Sequence, residues 1–258
     1  KVPENKEQLR MAEEKLAELT EISEHLTPIA NFYTSCREFL QLNDEIMGKF
    51  MSHPKVFNDV KVGRILLIST SFHYNKLAIL LKVDGDNLKL LVLMNEEENY
   101  QGKNELWHRM VGMSYKHKFF VPSQMIGSHT ICCIKSMHVV EITKSMIKCE
   151  ADKIIQNWEQ RQIPRFKDSP AGPSVTKAVT ELHELTMSVI ENRVKLEFLP
   201  LTSSDIDLHR DLQKLSELKE NIKVYQPYTN VPNFIDNFTQ VFDRKSLEEK
   251  KEHLLFQL

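Results

Sequence analysis

The sequence predicts an α+β protein in which a small β-module interrupts a series of amphipathic helices. Apolar residues recur at every third or fourth position through the first 50 residues and again from residue 151 onward, which is the period of a helix face. Between these parts, short runs rich in Ile, Leu and Val are bounded by turn residues, as β-strands are. With 258 residues, 41% of them hydrophobic, the chain is long enough to bury a substantial core.

Two helices are predicted before the β-module. Residues 4–24 form a charged amphipathic helix, with Leu9, Leu16 and Leu19 among the apolar positions of one face. Pro28 separates it from a second helical pattern over residues 29–50, which ends by Pro54 because proline cannot continue the hydrogen-bond ladder.

The middle of the chain predicts a small closed barrel. Residues 84–87 (DGDN) are a hairpin signal, and residues 96–118 are polar enough to predict a long loop. A small closed barrel suits short strands of this number, because closure removes exposed sheet edges. The predicted strands are 62–70, 76–83, 88–95, 118–121, 130–134 and 138–143.

Three further helical segments follow a helix over residues 151–158 that stops at Pro164. After a linker over residues 162–174, they begin at Ser174, at Ser203 to Asp205 and near Asn233. The predicted architecture is an antiparallel helical stalk that carries an independently folded β-barrel. Its three segments are residues 1–58 (ascending helices), 59–148 (barrel) and 149–258 (descending helices).

Composition excludes several classes of protein. No run of 18 apolar residues is present and the first 15 residues are charged, so neither a membrane span nor a secretory leader is expected. The four cysteines show no CxxC spacing, which favours a reducing, intracellular setting over a disulfide framework or a cysteine zinc site. We expect a soluble monomer.

Charge is unevenly distributed along the chain, although the net charge is only −2. Residues 1–54 carry 6 Lys+Arg against 10 Asp+Glu, residues 55–177 carry 18 against 12, and residues 178–258 carry 10 against 14. The middle segment is therefore basic, at +6, which favours an anionic partner for it, although lysines also simply solubilise a β-rich module.

No catalytic constellation is evident. The seven glycines form no phosphate-binding loop, and Asp44-Glu45 lies inside a helical pattern rather than in a magnesium-binding motif. His183-Glu184 lacks the second histidine of a zinc protease, because Met187 stands four residues later. Cys132 and Cys133 lie in an apolar strand and are expected in the core. We expect no metal site and no cofactor.

Basic residues on and around the predicted barrel are the candidate binding site. Small barrels bind single-stranded nucleic acid through a basic face with aromatic platforms, and Phe72, Tyr74, Tyr100, Trp107 and Tyr115 are interleaved here. Nucleic-acid binding, protein docking and a purely structural role all remain open from the residues alone. The candidate RNA-binding residues are Arg64, Lys76, Lys82, Lys89, Lys103, Arg109, Lys116 and Lys118.

A family resemblance narrows these alternatives. Residues 161–167 (RQIPRFK) and the continuation over 173–182 (PSVTKAVTEL) resemble a segment of the DExH-box exosome-cofactor RNA helicases, in their superkiller-complex branch. Residues 63–68, 73–83 and 119–122 are similar to the strands of that family's insertion, and residues 140–155 to its return into helices. The resemblance covers nearly the whole chain.

In that family this region is the arch, a helical stalk with a β-barrel of KOW or SH3-like type, inserted into the helicase. The resemblance implies an RNA-binding, non-catalytic segment of an ATP-dependent 3′ to 5′ RNA helicase. ATP and Mg²⁺ would belong to the absent helicase core.

The implied partners of the whole protein are RNA, the helicase core of the same chain, tetratricopeptide and WD-repeat subunits of the superkiller complex, and the cytoplasmic exosome in mRNA decay. No membrane is implied. The alternative is a barrel that docks adaptor peptides, as in the related nuclear exosome helicase.

Overall fold

The structure, a computed structural model, describes residues 1–19, 21–51, 59–73, 75–94, 104–114, 128–225 and 233–258. Within these residues, helices flank an antiparallel sheet in the sequence order that was predicted, which confirms the α+β class. The helices are α1 (Val2–Glu18), α2 (Thr27–Met51), α3 (Glu105–Ser114), α4 (Ala151–Arg161), α5 (Pro173–Ile190), α6 (Ile206–Lys223) and α7 (Phe234–Gln257). The strands are β1 (Arg64–Ile68), β2 (Lys76–Asp84), β3 (Asn87–Leu93), β4 (His129–Lys135) and β5 (Val139–Met146).

The five strands form one antiparallel sheet in the order β4-β3-β2-β1-β5. The predicted hairpin at residues 84–87 joins β2 to β3: Asp84 pairs with Asn87, and Gly85 between them has a φ of +58°, which glycine adopts without steric cost. On the other side of the sheet centre, β1 pairs with both β2 and β5.

The short connection between β4 and β5 requires the sheet to curve. Lys135 at the end of β4 is four residues from Val139 at the start of β5, a link that spans at most about 15 Å. In a flat sheet the two edge strands would lie about 19 Å apart across the sheet, in addition to their offset along the strands. Register shifts in the β1–β5 and β2–β3 ladders supply bends that let the edges approach.

The predicted closed barrel is not formed by the described residues, among which the sheet remains open with β4 and β5 at its edges. Residues 197–199 form hydrogen bonds with the outer edge of β5. The backbone N–H of Lys144 donates to Glu197 O at 2.9 Å, and that of Leu199 donates to Ile142 O at 2.7 Å. These bonds satisfy the β5 edge without β4, and so remove the need for closure.

The central strands β1, β2 and β3 are buried on both faces over most of their length, which explains why they are continuous apolar runs rather than alternating patterns. All five residues of β1 are buried. One face packs against α4 and α5, whose Ile154, Val179 and Leu182 join a core with Ile65 and Leu91 of the sheet. The hydrophobic core of the sheet therefore extends beyond residues 59–148.

Helix α3 lies in the segment that was predicted to be a loop. Its start is capped by Asn104, whose Oδ1 accepts from the backbone N–H of Trp107 at 2.9 Å, and its residues Met110 and Val111 are buried. The prediction of a loop rested on the polar residues of the segment 96–118, and these obscured the helical spacing of the apolar residues within it. The predicted strand at 118–121 lies outside the described residues.

The observed starts of helices α5 and α6 can be compared with the predicted capping residues. Helix α6 is capped as predicted, because Asp205 Oδ1 accepts from the backbone N–H of Leu208 at 2.9 Å. Helix α5 starts two residues earlier than predicted, at Pro173, with Gly172 rather than Ser174 as the capping residue. The Ser174 hydroxyl donates instead to Glu150 Oε2 at 2.6 Å.

The chain forms two compact units, residues 1–39 with 217–258 and residues 40–216. In the first unit α1 and α7 run antiparallel, as the contact of Asn5 with Gln257 and the ion pair of Glu13 with Lys251 show. The core of this unit includes the T-shaped contact between the rings of Phe32 and Phe238. The sheet belongs to the second unit.

Candidate nucleic-acid interface

Lys76, a predicted RNA contact at the first position of β2, is almost completely buried, with 1% of its surface exposed. Its ammonium group donates to Leu93 O at 2.8 Å and lies 3.3 Å from His73 Nδ1. Burial and the nearby Lys76 charge lower the pKa of His73 to about 4, so the imidazole is neutral at pH 7. Lys76 therefore holds the ends of β2 and β3 together and does not contribute to an exposed basic face.

Arg64 is also buried, at the start of β1. Its Nε donates to Asp59 O at 2.8 Å and its Nη1 donates to Lys144 O at 3.0 Å. A guanidinium that is shared between carbonyl groups of two segments stabilises the fold, and it does not lie on the surface where an RNA phosphate would bind.

Arg109, the third of these residues, lies on α3 and is buried as well. It forms a bidentate ion pair with Asp44 of α2, at 2.5 and 3.2 Å, and donates to Met137 O at 3.1 Å. The structure thus places Arg64, Lys76 and Arg109 inside the protein, because each provides donors to buried acceptors that would otherwise be unsatisfied.

Lys82 and Lys89 are exposed or partly exposed at the hairpin end of the sheet, and they are cross-strand partners. The register shift at Leu81 causes this pairing: Leu80 pairs with Leu90 and Lys82 with Lys89, so Leu81 is an extra residue. In a strand without this register shift, Lys82 would lie on the same face as Leu80, which is fully buried. The bulge therefore places two lysines directly opposite each other on one face.

Lys135 extends this basic group, although the sequence prediction did not include it. Lys89 pairs with Cys133 of β4, and Lys135 is two residues further along that strand, so the two lysines leave the same face. Lys135 is exposed. We call Lys82, Lys89 and Lys135 the hairpin lysines. The turn at residues 84–87 is a sequence signal for the pairing of Lys82 with Lys89, whereas the position of Lys135 depends on the β3–β4 register, for which no turn provides a signal.

A single carboxylate of the described residues pairs with the hairpin lysines. Glu159, on α4, lies 3.7 Å from Lys89 Nζ, and its side chain is 64% exposed. An exposed pair at this distance contributes about 0–1 kcal/mol, so an anionic ligand can displace it.

Other predicted residues lie elsewhere. Lys103, Lys116 and Lys118 are outside the described residues, as are the aromatic residues Tyr74, Tyr100 and Tyr115. Trp107 is buried, with its ring edge-on to His108, and is not a stacking platform. Phe72 is 74% exposed, on a turn held by the Thr70 hydroxyl, which accepts from the backbone N–H groups of Phe72 and His73.

Two kinds of catalytic group, a reactive thiol and a metal cluster, can be checked in the described residues. Burial raises the pKa of the Cys132 thiol to about 11, which leaves it protonated and a poor nucleophile at pH 7. Over the same part of the chain, no group of three or more His, Cys, Asp or Glu side chains is arranged to hold a metal ion. Nor does any described helix have a stretch long and apolar enough to cross a lipid bilayer.

The fold and this surface define a class of module: an open, curved antiparallel sheet, preceded and followed in sequence by helices, with exposed lysines at one hairpin. The chain is 22% identical over 269 residues to superkiller complex protein 2 of Mus musculus, and 21% identical over 264 residues to that of Homo sapiens. Each alignment covers 95% of this chain and 21% of the relative. No protein-family model matches the chain.

The chain is thus similar to one segment of superkiller complex protein 2, and it spans about a fifth of the length of these relatives. This finding confirms the resemblance that the sequence motifs indicated.

Proposed function

We propose that the chain is an RNA-binding accessory segment of an RNA helicase, and that the hairpin lysines contact the RNA backbone. The observation that carries the proposal is the direct pairing of Lys82 with Lys89 at the hairpin end of the sheet, where Lys82 is exposed and Lys89 is partly exposed. Like charges directly opposite each other across a ladder cost on the order of 0.5 kcal/mol. A bound phosphodiester removes this repulsion and gains two charge-assisted contacts.

The similarity to superkiller complex protein 2 supports a proposal for the context of the whole protein. The chain would be the non-catalytic arch of an ATP-dependent 3′ to 5′ helicase that feeds RNA to the cytoplasmic exosome for mRNA decay. ATP and Mg²⁺ would bind to the helicase core, which acts together with tetratricopeptide and WD-repeat subunits of the superkiller complex.

We also propose that the sheet is a partly closed relative of the KOW or SH3-like barrel, inserted as residues 59–148 between stalk helices of residues 1–58 and 149–258. The short link between β4 and β5 supports this proposal, because it requires the two edges of the sheet to approach. The antiparallel pairing of α1 with α7 supports a helical stalk.

Fluorescence anisotropy with a labelled single-stranded RNA, in about 50 mM salt and without ATP, tests RNA binding. We expect binding with a steep salt dependence, of about 0.7 in log affinity per log salt for each phosphate contacted. The double variant Lys82→Glu with Lys89→Glu should weaken binding at least about tenfold, because it replaces two attractive contacts with two repulsive ones.

The matched control is Lys195→Glu with Lys214→Glu, which makes the same change in charge at two exposed lysines that lie outside the five strands. Equal loss of affinity in both double variants would show general charge attraction and would contradict the proposal. No binding by the unaltered chain would also contradict it.

Docking of adaptor peptides is the second candidate function, and Phe72 favours it. An aromatic ring that is 74% exposed on a hydrogen-bonded turn is a suitable anchor for a hydrophobic pocket or peptide. Loss of peptide binding in Phe72→Ala, with RNA affinity unchanged in the same variant, would support docking over RNA contact.

A further inference from the structure

The segment that follows Glu159 carries three cations within seven residues. Arg161 is the last residue of α4, and Arg165 and Lys167 lie in and after the short 3-10 helix Pro164–Phe166. Arg165 and Lys167 are exposed. Residues 161–167 include no acidic side chain, and none of these three cations forms an ion pair with another described residue. We call them the α4-end cations.

The Nε atom of Arg161 lacks a hydrogen-bond acceptor among the described residues. The side chain is partly buried, and its Nε is inaccessible to solvent and has no hydrogen-bond partner among the described residues. A buried donor without an acceptor is destabilising, and more so when it belongs to a charged group. The position at the end of α4 favours a cation through the helix dipole but supplies no acceptor for Nε. A phosphate oxygen supplies this acceptor once the Arg161 side chain rotates to bring Nε to the surface.

Arg165 offers a different kind of contact. Its guanidinium lies over the ring of Phe166, 4.5 Å from the centroid, which holds the planar group in a defined position. The outward side of such a plane stacks on nucleobases in the way that an aromatic ring does. Lysine would retain the charge at this position but would provide no planar surface.

The α4-end cations adjoin the hairpin lysines. Glu159 contacts Lys89 and stands two residues before Arg161 on the same helix, so the two groups lie within about one helical turn of each other, on different faces of α4. A phosphate that binds Lys89 would have to displace Glu159, the described acidic residue that contacts this lysine. All of these residues belong to the second compact unit.

We infer that the hairpin lysines and the α4-end cations form one binding surface for single-stranded RNA, with phosphates at Lys89 and Arg161 and a base stacked on Arg165. This inference rests on the proposed function, and extends it from the sheet to the segment after α4. Glu159 is the carboxylate that the RNA displaces.

The experiment measures RNA affinity of the 258-residue chain by anisotropy, with a labelled oligouridylate as the probe. The triple variant Arg161→Gln, Arg165→Gln and Lys167→Gln should lower the slope of log affinity on log salt by about 0.7–1.4, since it removes the phosphate contact of Arg161 and the charge of Lys167, whereas Arg165 contributes by stacking. Glu159→Gln should raise the affinity about two- to fivefold, because it removes the competing carboxylate.

Arg165→Lys tests stacking separately from charge. It should weaken binding of oligouridylate about fivefold or more, and leave unchanged the binding of an abasic ribose-phosphate oligomer of the same length. The matched control is Lys6→Gln, Lys195→Gln and Lys214→Gln, at three exposed lysines elsewhere in the chain. Circular dichroism spectra of all variants should superimpose, because the altered side chains donate no hydrogen bond to the described structure.

Different results overturn the inference and the proposed function. If the α4-end triple variant binds like the unaltered chain while the Lys82 and Lys89 variant does not bind, the extension is wrong and RNA binding by the hairpin stands. If the unaltered chain does not bind oligouridylate, both are wrong. If Arg165→Lys weakens both probes equally, Arg165 contacts phosphate and the stacking role is wrong.

Discussion

At the scale of single residues, burial separates cations that stabilise the protein from cations that are available to a ligand. Lys76 and Arg64 donate to backbone carbonyl groups inside the second unit, whereas Lys82 and Lys135 are exposed. Sequence alone treats all four as basic residues of a β-rich segment. Charge reversal at a buried position would unfold the protein and could be mistaken for a loss of RNA binding.

His73 predicts a dependence of stability on pH. Its pKa is about 4 in the folded protein, against 6.5 ordinarily, because of burial and the Lys76 charge. Between these values the unfolded chain binds a proton that the folded chain does not. The free energy of unfolding should therefore fall by about 3 kcal/mol as the pH is lowered from 7 to 4.

Urea denaturation at several pH values measures this effect. The variant His73→Asn should lose most of the slope between pH 6.5 and 4, apart from a part due to His138, whose pKa burial also lowers. His209→Asn, at an exposed histidine, should keep the slope. A slope that is unchanged in His73→Asn would show that His73 is not the group that titrates.

At the scale of elements, backbone irregularities decide how the sheet curves and which side chains it exposes. The extra residue Leu81 turns Lys82 to the face of Lys89, and Gly63 lets β1 begin between β2 and the end of β5. Gly63 has a φ of +91°, its N–H donates to Leu80 O, and its carbonyl accepts from the N–H of Ile147, both at 2.8 Å.

Gly63→Ala should lower the free energy of unfolding by about 2–4 kcal/mol. A Cβ at this position would lie 2.5 Å from Ile147 O, a backbone atom that cannot move without breaking the ladder, and the positive φ adds strain. Gly48→Ala is the matched control. It lies in α2 with no atom within 4 Å of the added Cβ, and should raise stability by about 0.5–1 kcal/mol. Thermal denaturation of both variants checks the signs, and a stable Gly63→Ala would contradict this account of the turn.

At the scale of the whole molecule, the compact unit that contains the sheet is longer than the segment that supplies the strands. The sheet lies within residues 59–148, but one of its faces is covered by α4 and α5, which follow it in sequence. The unit that contains the complete core comprises residues 40–216. The sequence pattern of the strands predicts where they lie in the chain, but it does not predict which helices pack against them.

Residues 59–148 expressed alone should therefore lack cooperative unfolding, whereas residues 40–216 should unfold cooperatively. The shorter fragment loses Ile154, Val175, Val179, Leu182 and Val189 from its core, at about 1.5–3 kcal/mol each. That total is comparable to the whole stability of a domain. Urea denaturation followed by near-ultraviolet circular dichroism distinguishes the fragments, and a sigmoidal transition for residues 59–148 would show that the sheet is an independent domain.

The sequence by itself determined the α+β class, the order of the helices and described strands, and the hairpin at residues 84–87, because these follow from local periodicity and turn chemistry. Tertiary structure alone decided that the described sheet is open, that residues 105–114 are helical, and which cations face solvent. In strands that are buried on both faces, apolar residues fill every position, so alternation no longer assigns a direction to Lys76 or Lys82. Those directions depend on the Leu81 bulge and on the helices that cover the sheet, which are contacts between residues distant in sequence.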